Sequence, residues 1–139
     1  MRIMAIDYGD AHTGIAISDP TGFLAGFTTV INAYRPEVVA EQVAALAKEH
    51  GVEELVLGHP INMDGTRGPR SEKAQAMKAL LEETTSLPVV LWDERRTTID
   101  AHQILMNSGK NAKKRKKVVD AVAATLILEG YLTYKKSHG

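Results

Sequence analysis

Three carboxylates stand out in this sequence by position rather than by type: Asp7, Glu94 and Asp120. Asp7 closes the apolar run Arg2 to Ile6, which reads as a strand, and Tyr8-Gly9-Asp10 after it is turn material. Glu94 stands with Asp93 at the end of a second apolar run, Pro88 to Trp92. If both strands point the same way, their acids emerge at one sheet edge, where open α/β sheets place their ligands. Asp120 falls in the first turn of the last helical pattern. It lies at the margin of an apolar face formed by Val119, Val122, Ala123, Leu126, Ile127 and Gly130. From there it would lean over the edge where Asp7 and Glu94 emerge.

Carboxylates held that close repel and raise each other's pKa unless a cation accompanies them. Hard divalent ions prefer oxygen ligands. Two such ions about 4 Å apart activate a water and stabilise the leaving oxygen in phosphodiester cleavage. Asp7, Glu94 and Asp120 are therefore candidates as both metal ligands and catalytic groups, with Mg²⁺ or Mn²⁺ as the metal and two ions once substrate is bound. Each acid also has a structural reading. Asp-x-Gly after a strand is commonly a turn, Glu94 beside Arg95-Arg96 fits a solvated surface, and an acid in a first helical turn offsets the helix dipole.

The elements that must position these acids follow from the hydrophobic pattern. Gly14 to Ser18 reads as a second strand. Too few residues separate it from Asp7 for a helical crossover, so the pair should be antiparallel. A third strand around Gly26 to Ile31 completes a meander. Pro36 opens a helix running to His50, with Gly51 as its stop and Val39, Val43, Leu46 and Ala47 as its apolar face. Glu54 to Gly58 is a short buried strand, parallel to the first. A loop, HPINMDGTRG, leads to a helix marked by Ala74, Met77, Leu80 and Leu81. Pro88 to Trp92 is the fifth strand, a helix is expected near Thr98 to Met106, and the last helix spans Val118 to Tyr134. This order predicts an α/β domain with a mixed five-stranded sheet, an antiparallel meander plus two parallel strands, flanked by helices. Right-handed crossovers put the fourth and fifth strands beside the first, away from the meander. With 139 residues and no internal repeat or linker, the whole chain, 1–139, reads as one domain.

Composition narrows the function classes. Lys plus Arg equals Asp plus Glu at 17 each, so net charge says nothing about a polyanionic partner. The distribution does: Lys110 to Lys117 reads KNAKKRKK, with no acid. Lys113, Lys114, Arg115, Lys116 and Lys117 directly precede the helix bearing Asp120 and are candidates to neutralise phosphates near it. The alternative is a solvated, mobile charge block. Arg67 and Arg70, just beyond the Asn62-Met63-Asp64-Gly65 turn, are further phosphate-contact candidates. No aromatic residue interleaves with the basic run, so single-strand stacking is not indicated there. There is no cysteine, which excludes disulfides and thiolate metal sites. The N-terminus does not resemble a signal peptide and no apolar stretch approaches bilayer length, so a cytoplasmic protein without membrane association is expected.

The segments carrying the acids are IDYGDAHTGIAISD, VLGHPINMDGTRGPRSEKA, WDERRTT and VVDAVAATLIL. In order and spacing they resemble the YqgF/RuvX family, Holliday-junction-resolvase-like nucleases linked to pre-16S rRNA processing, across nearly the whole chain. The resemblance implies an RNase H-like fold, a divalent metal and cleavage of structured nucleic acid, with a role in ribosome biogenesis. It maps the metal carboxylates onto Asp7, Glu94 and Asp120 and marks Gly9, Gly14, Gly58, Pro60, Asn62, Gly65 and Arg95 as motif positions. Arg95 is thereby a nucleic-acid candidate and Asn62 a possible substrate contact. Two departures stand out: His12, where the family commonly has arginine, and His59, where it is usually aliphatic. Both are possible substrate contacts, and the plainer reading makes each a partly exposed loop residue. Partners expected on this basis are pre-rRNA, ribosomal particles or branched DNA, with the chain a monomer or weak homodimer. The rival classes are an actin-like or sugar-kinase ATPase, which needs two domains, and an RNA- or ribosome-binding module without turnover.

Overall fold

In a computed structural model the chain is described over residues 1–20, 25–60, 68–93 and 112–138, with side chains in the last segment from 122 to 135. The elements are β1 (Arg2–Asp7), β2 (His12–Ser18), β3 (Ala25–Asn32), α1 (Pro36–His50), β4 (Val52–His59), α2 (Pro69–Thr85), β5 (Val89–Asp93) and α3 (Ala112–His138). They build one five-stranded sheet in the order β3-β2-β1-β4-β5. β1 pairs antiparallel with β2 and parallel with β4, and β4 pairs parallel with β5. This is the mixed sheet and the strand placement that the pattern predicts. The helix expected near Thr98 to Met106 and most of the loop after His59 lie outside the described residues.

Alternation along the strands sorts the core into two layers. Met4, Ile6, Ile15, Ile17, Leu55 and Leu57 face Val39 and Val43 of α1 and Met77 and Leu81 of α2. Ile3, Ala5, Ala16, Val56 and Trp92 face Ala124, Ile127, Leu128, Tyr131 and Leu132 of α3. β1 is thus buried on both sides, which is why its sequence is a continuous apolar run rather than an alternating one. Truncating Ile6 or Leu57, both fully buried, would cost about 2–5 kcal/mol.

The structure corrects the sequence reading in two places on α3. The helix begins at Ala112 rather than Val118, so Lys113 to Lys117 are helical residues and not a preceding loop. Lys, Arg and Ala are strong helix formers, and nothing in that stretch breaks the pattern. The buried stripe is also rotated. It runs through Ala124, Ile127, Leu128, Tyr131 and Leu132, while Val122, Ala123 and Leu126 are only half-buried. Apolar residues surround this helix on almost every side, so periodicity alone leaves its facing undecided. Contacts to the sheet decide it. A Cβ on Gly130 would lie 3.1 Å from the Trp92 ring. The Tyr131 hydroxyl donates to Glu54 Oε1 at 2.7 Å, and Lys135 Nζ reaches the same oxygen at 3.1 Å.

Candidate active site and its family

Asp7 is the last residue of β1 and is half-buried. It follows Ile3 and Ala5 in the alternation and therefore points to the α3 face of the sheet. The neighbouring strands offer glycine at its level: Gly14 of β2 is its register partner, and Gly58 of β4 stands one step beyond the Ile6–Leu57 pair. Neither of these two positions carries a side chain. Trp92 of β5 pairs with Gly58 and also belongs to the α3 face. Asp120 is carried by the helix that covers that same face. The chain thus brings Asp7 and the Asp120-bearing helix to one side of the sheet.

Glu94, Arg95, Arg67 and Asn62 lie outside the described residues, as do the side chains of Asp120 and Lys113 to Lys117. Among the described residues no three acids or histidines converge closely enough to hold a metal ion. Asp7 is a strand-end carboxylate, the kind of oxygen donor a hard cation prefers. Asp93, one residue along from Trp92, takes the opposite face with Val89 and Leu91.

The turn after Asp7 requires glycine at position 9, because any Cβ there would collide with the His12 carbonyl as the chain doubles back into β2. His12 is a strand residue and not a loop residue, with Nδ1 2.7 Å from Asn32 Oδ1 on β3. His59 ends β4 and is buried, its Nε2 2.6 Å from Ser71 Oγ in the first turn of α2. Ser71 is fully buried and also accepts from Gln75 Nε2 at 3.3 Å. The plainer reading of both histidines as partly exposed loop residues is therefore corrected in part: both are strand residues, His59 is buried and His12 is partly exposed, because β2 and β4 extend further than the apolar runs suggest. α2 has no side-chain cap at Gly68, and the His59–Ser71 bond fastens its first turn to the sheet edge instead.

A small cleft opens at the ends of β1 and β4, bordered by Gly9, Asp10, Gly58, Pro60, Arg70 and Lys73. Arg70 is exposed in the first turn of α2. Lys73, which sequence reasoning missed, forms an exposed ion pair with Asp10 at 3.0 Å. Its ammonium holds the Asp10 carboxyl below the usual aspartate range. Only the motif stretch RSEKA pointed to it, and nothing in that stretch says which helical residue meets the β1–β2 turn.

Comparison with known proteins bears on what this edge is for. The RuvX model, described as Holliday junction resolvase, matches residues 1–134. The chain belongs to the RuvX family. It is 45% identical over 140 residues to a protein of Halothermothrix orenii named "Putative pre-16S rRNA nuclease", covering 100% of both chains. It is 43% identical over 134 residues to a protein of Bacillus subtilis bearing the same name, covering 95% of this chain and 97% of that one. Among solved structures it resembles Thermus thermophilus RuvC in complex with a Holliday junction substrate, with TM-score 0.64 and 14% identity over 99% of this chain and 96% of the other. It also resembles the large terminase nuclease of phage G20c, with TM-score 0.58 and 10% identity over 94% and 81%. The fold is therefore RNase H-like, as the motifs imply, and the family is one of nucleases. Among the described residues no helix is long and apolar enough to cross a membrane.

Proposed function

We propose that the chain is a metal-dependent nuclease that hydrolyses phosphodiesters in structured RNA, with processing of the 5′ end of pre-16S rRNA as its task in the cytoplasm. The observation that carries this reading is Asp7, a strand-end carboxylate flanked by glycines and turned to the face covered by the Asp120 helix. Glu94 follows the last residue of β5 in the sequence and completes the proposed set. Asp7, Glu94 and Asp120 would hold Mg²⁺ or Mn²⁺, which when bound supplies an activated water and charge stabilisation at the leaving oxygen.

Lys113 to Lys117 add a second argument. They occupy the first turns of α3, the end of a helix where the dipole disfavours cations, and no acid offsets them in that turn. Like charges at helical spacing repel as well. A phosphate backbone laid against this end would relieve both effects while bringing the scissile bond to the helix that carries Asp120. Arg67, Arg70 and Arg95 extend the same role toward the loops, and His12 and Asn62 are the remaining substrate-contact candidates. His59 would act through Ser71, by positioning α2.

The names of the relatives favour RNA, and the description of the family favours a four-way DNA junction as the second reading. The test is cleavage of labelled structured RNA and of a DNA four-way junction with Mg²⁺ or Mn²⁺, wild type beside Asp7→Asn and Asp120→Asn. Metal-dependent cutting that both substitutions abolish is expected, with RNA preferred. Equal cutting by variants and wild type would refute the site. Binding without cutting would leave a non-catalytic RNA-binding module.

A further inference from the structure

Asp7 and Tyr8 are consecutive but serve opposite faces of the sheet: Asp7 faces α3, while Tyr8 packs against the core under α1 and α2. On Tyr8's side a groove of about 300 Å³ is lined by Tyr8, Tyr34, Pro36, Ala76, Met77 and Leu80, with Asp10 and Lys73 also on its wall. Tyr8, Asp10 and Lys73 border the cleft beside Gly58 as well, so groove and cleft form one surface. Tyr34 is 82% exposed, an aromatic ring left in water beside an apolar floor. Arg70 and Lys73 supply positive charge at the cleft. Sites for unpaired nucleic acid combine these two features, cations along the backbone and an aromatic face for each base.

We infer that this groove is a subsite for one unpaired nucleotide of the substrate strand, its base stacked on Tyr34 and its phosphate held by Lys73 and Arg70. The inference deepens the nuclease reading and rests on it. A strand crossing the sheet edge presents its scissile phosphate to Asp7 on the α3 side and a neighbouring nucleotide to Tyr8 and Tyr34 on the other. Asp10 is the regulator of this subsite, because its carboxylate occupies the Lys73 ammonium at 3.0 Å and an incoming phosphate must compete for it. The exposure of both partners keeps that competition easy.

The experiment measures binding of short single-stranded RNA and DNA of one sequence, carrying fluorescent aminopurine at successive positions, to the full chain in chelator. Cutting is thereby suppressed, and the result does not depend on the metal site. Quenching at one position is expected in either or both strands. Tyr34→Ala should abolish it and weaken binding about 5- to 100-fold, whereas Tyr34→Phe should retain both. An abasic probe at the quenched position should cost wild type what Tyr34→Ala costs. Lys73→Gln should flatten the salt dependence by roughly one phosphate contact, and Asp10→Asn should tighten binding. Quenching that survives Tyr34→Ala, an abasic probe that binds undiminished, or no quenching by either strand would overturn the subsite and leave the groove to another occupant. Metal-dependent cleavage by wild type that Asp7→Asn abolishes is read in parallel, so absent quenching with intact wild-type cleavage sinks the subsite and leaves the nuclease reading standing.

Discussion

Asp7 lies directly across the β1–β2 ladder from Gly14, so the carboxylate that ends the central strand has no side chain beside it on β2. With Gly58 at the same level of β4, neither register neighbour of Asp7 carries a side chain. A strand-end carboxylate is the kind of oxygen ligand a hard cation takes.

Thermal stability should therefore respond to metal through Asp7. Millimolar Mg²⁺ or Mn²⁺ is expected to raise the melting temperature of wild type by a few degrees, corresponding to about 1.4 kcal/mol at ten times Kd. Asp7→Asn should lose the response to metal. An equal metal response in the variant would show that the ion binds elsewhere.

The cationic start of α3 makes a prediction with two readouts. Replacing Lys113, Lys114 and Arg115 by Gln should weaken RNA binding and reduce the slope of log affinity against log salt by roughly 0.7–0.9 per lost phosphate contact. The same change should leave the melting temperature of the free protein unchanged or higher, because these cations oppose the dipole of their helix. An unchanged salt slope would remove the helix start from the binding surface.

The buried His59–Ser71 bond should matter for folding. His59→Ala and Ser71→Ala each leave a buried polar partner and are expected to cost about 1–3 kcal/mol, read as lower midpoints in denaturant. The double variant should cost less than the sum, because both substitutions break one bond. Strict additivity would mean that the two side chains act separately.

Tyr131 predicts an alkaline limit. Burial, followed by its hydrogen bond to the Glu54 carboxylate, raises its phenol pKa well above the ordinary tyrosine value. The unfolded chain ionises this group near pH 10 while the folded chain keeps it neutral, so the contribution is full below pH 10 and is lost as pH rises further. Unfolding midpoints from pH 9 to 11 should fall in wild type and fall less steeply in Tyr131→Phe. Parallel curves would assign the alkaline loss to other groups.

Much of this architecture is legible because the chain states it locally. The apolar run before Asp7 and ELVLG before His59 have no polar face to give to solvent, so each had to be a strand buried on both sides. The short link from Asp7 to Gly14 forbids a helix and forces a hairpin, and the alternating units after it force parallel strands. Asp7 was likewise readable as a strand-end acid, whereas Asp120, read as a helix-start acid, belongs to the interior of a helix that begins at Ala112. His59 was misread because a strand's end is set by its ladder partner, here Asp93 of β5, and that partner is remote in sequence.

What the sequence determined by itself was the order of the described elements, the placement of strands and the family motifs, because local propensity, hydrophobic period and link length all act within a few residues. The facing of α3 was decided only in three dimensions. Its apolar residues run nearly all the way round, and only the fit of Gly130 to Trp92 and of Tyr131 to Glu54 selects one orientation. The same holds for the Asp10–Lys73 pair and the His59–Ser71 bond. Each joins a strand end or turn to a helix that comes later in the chain, and such pairings depend on close packing between elements that no local pattern records.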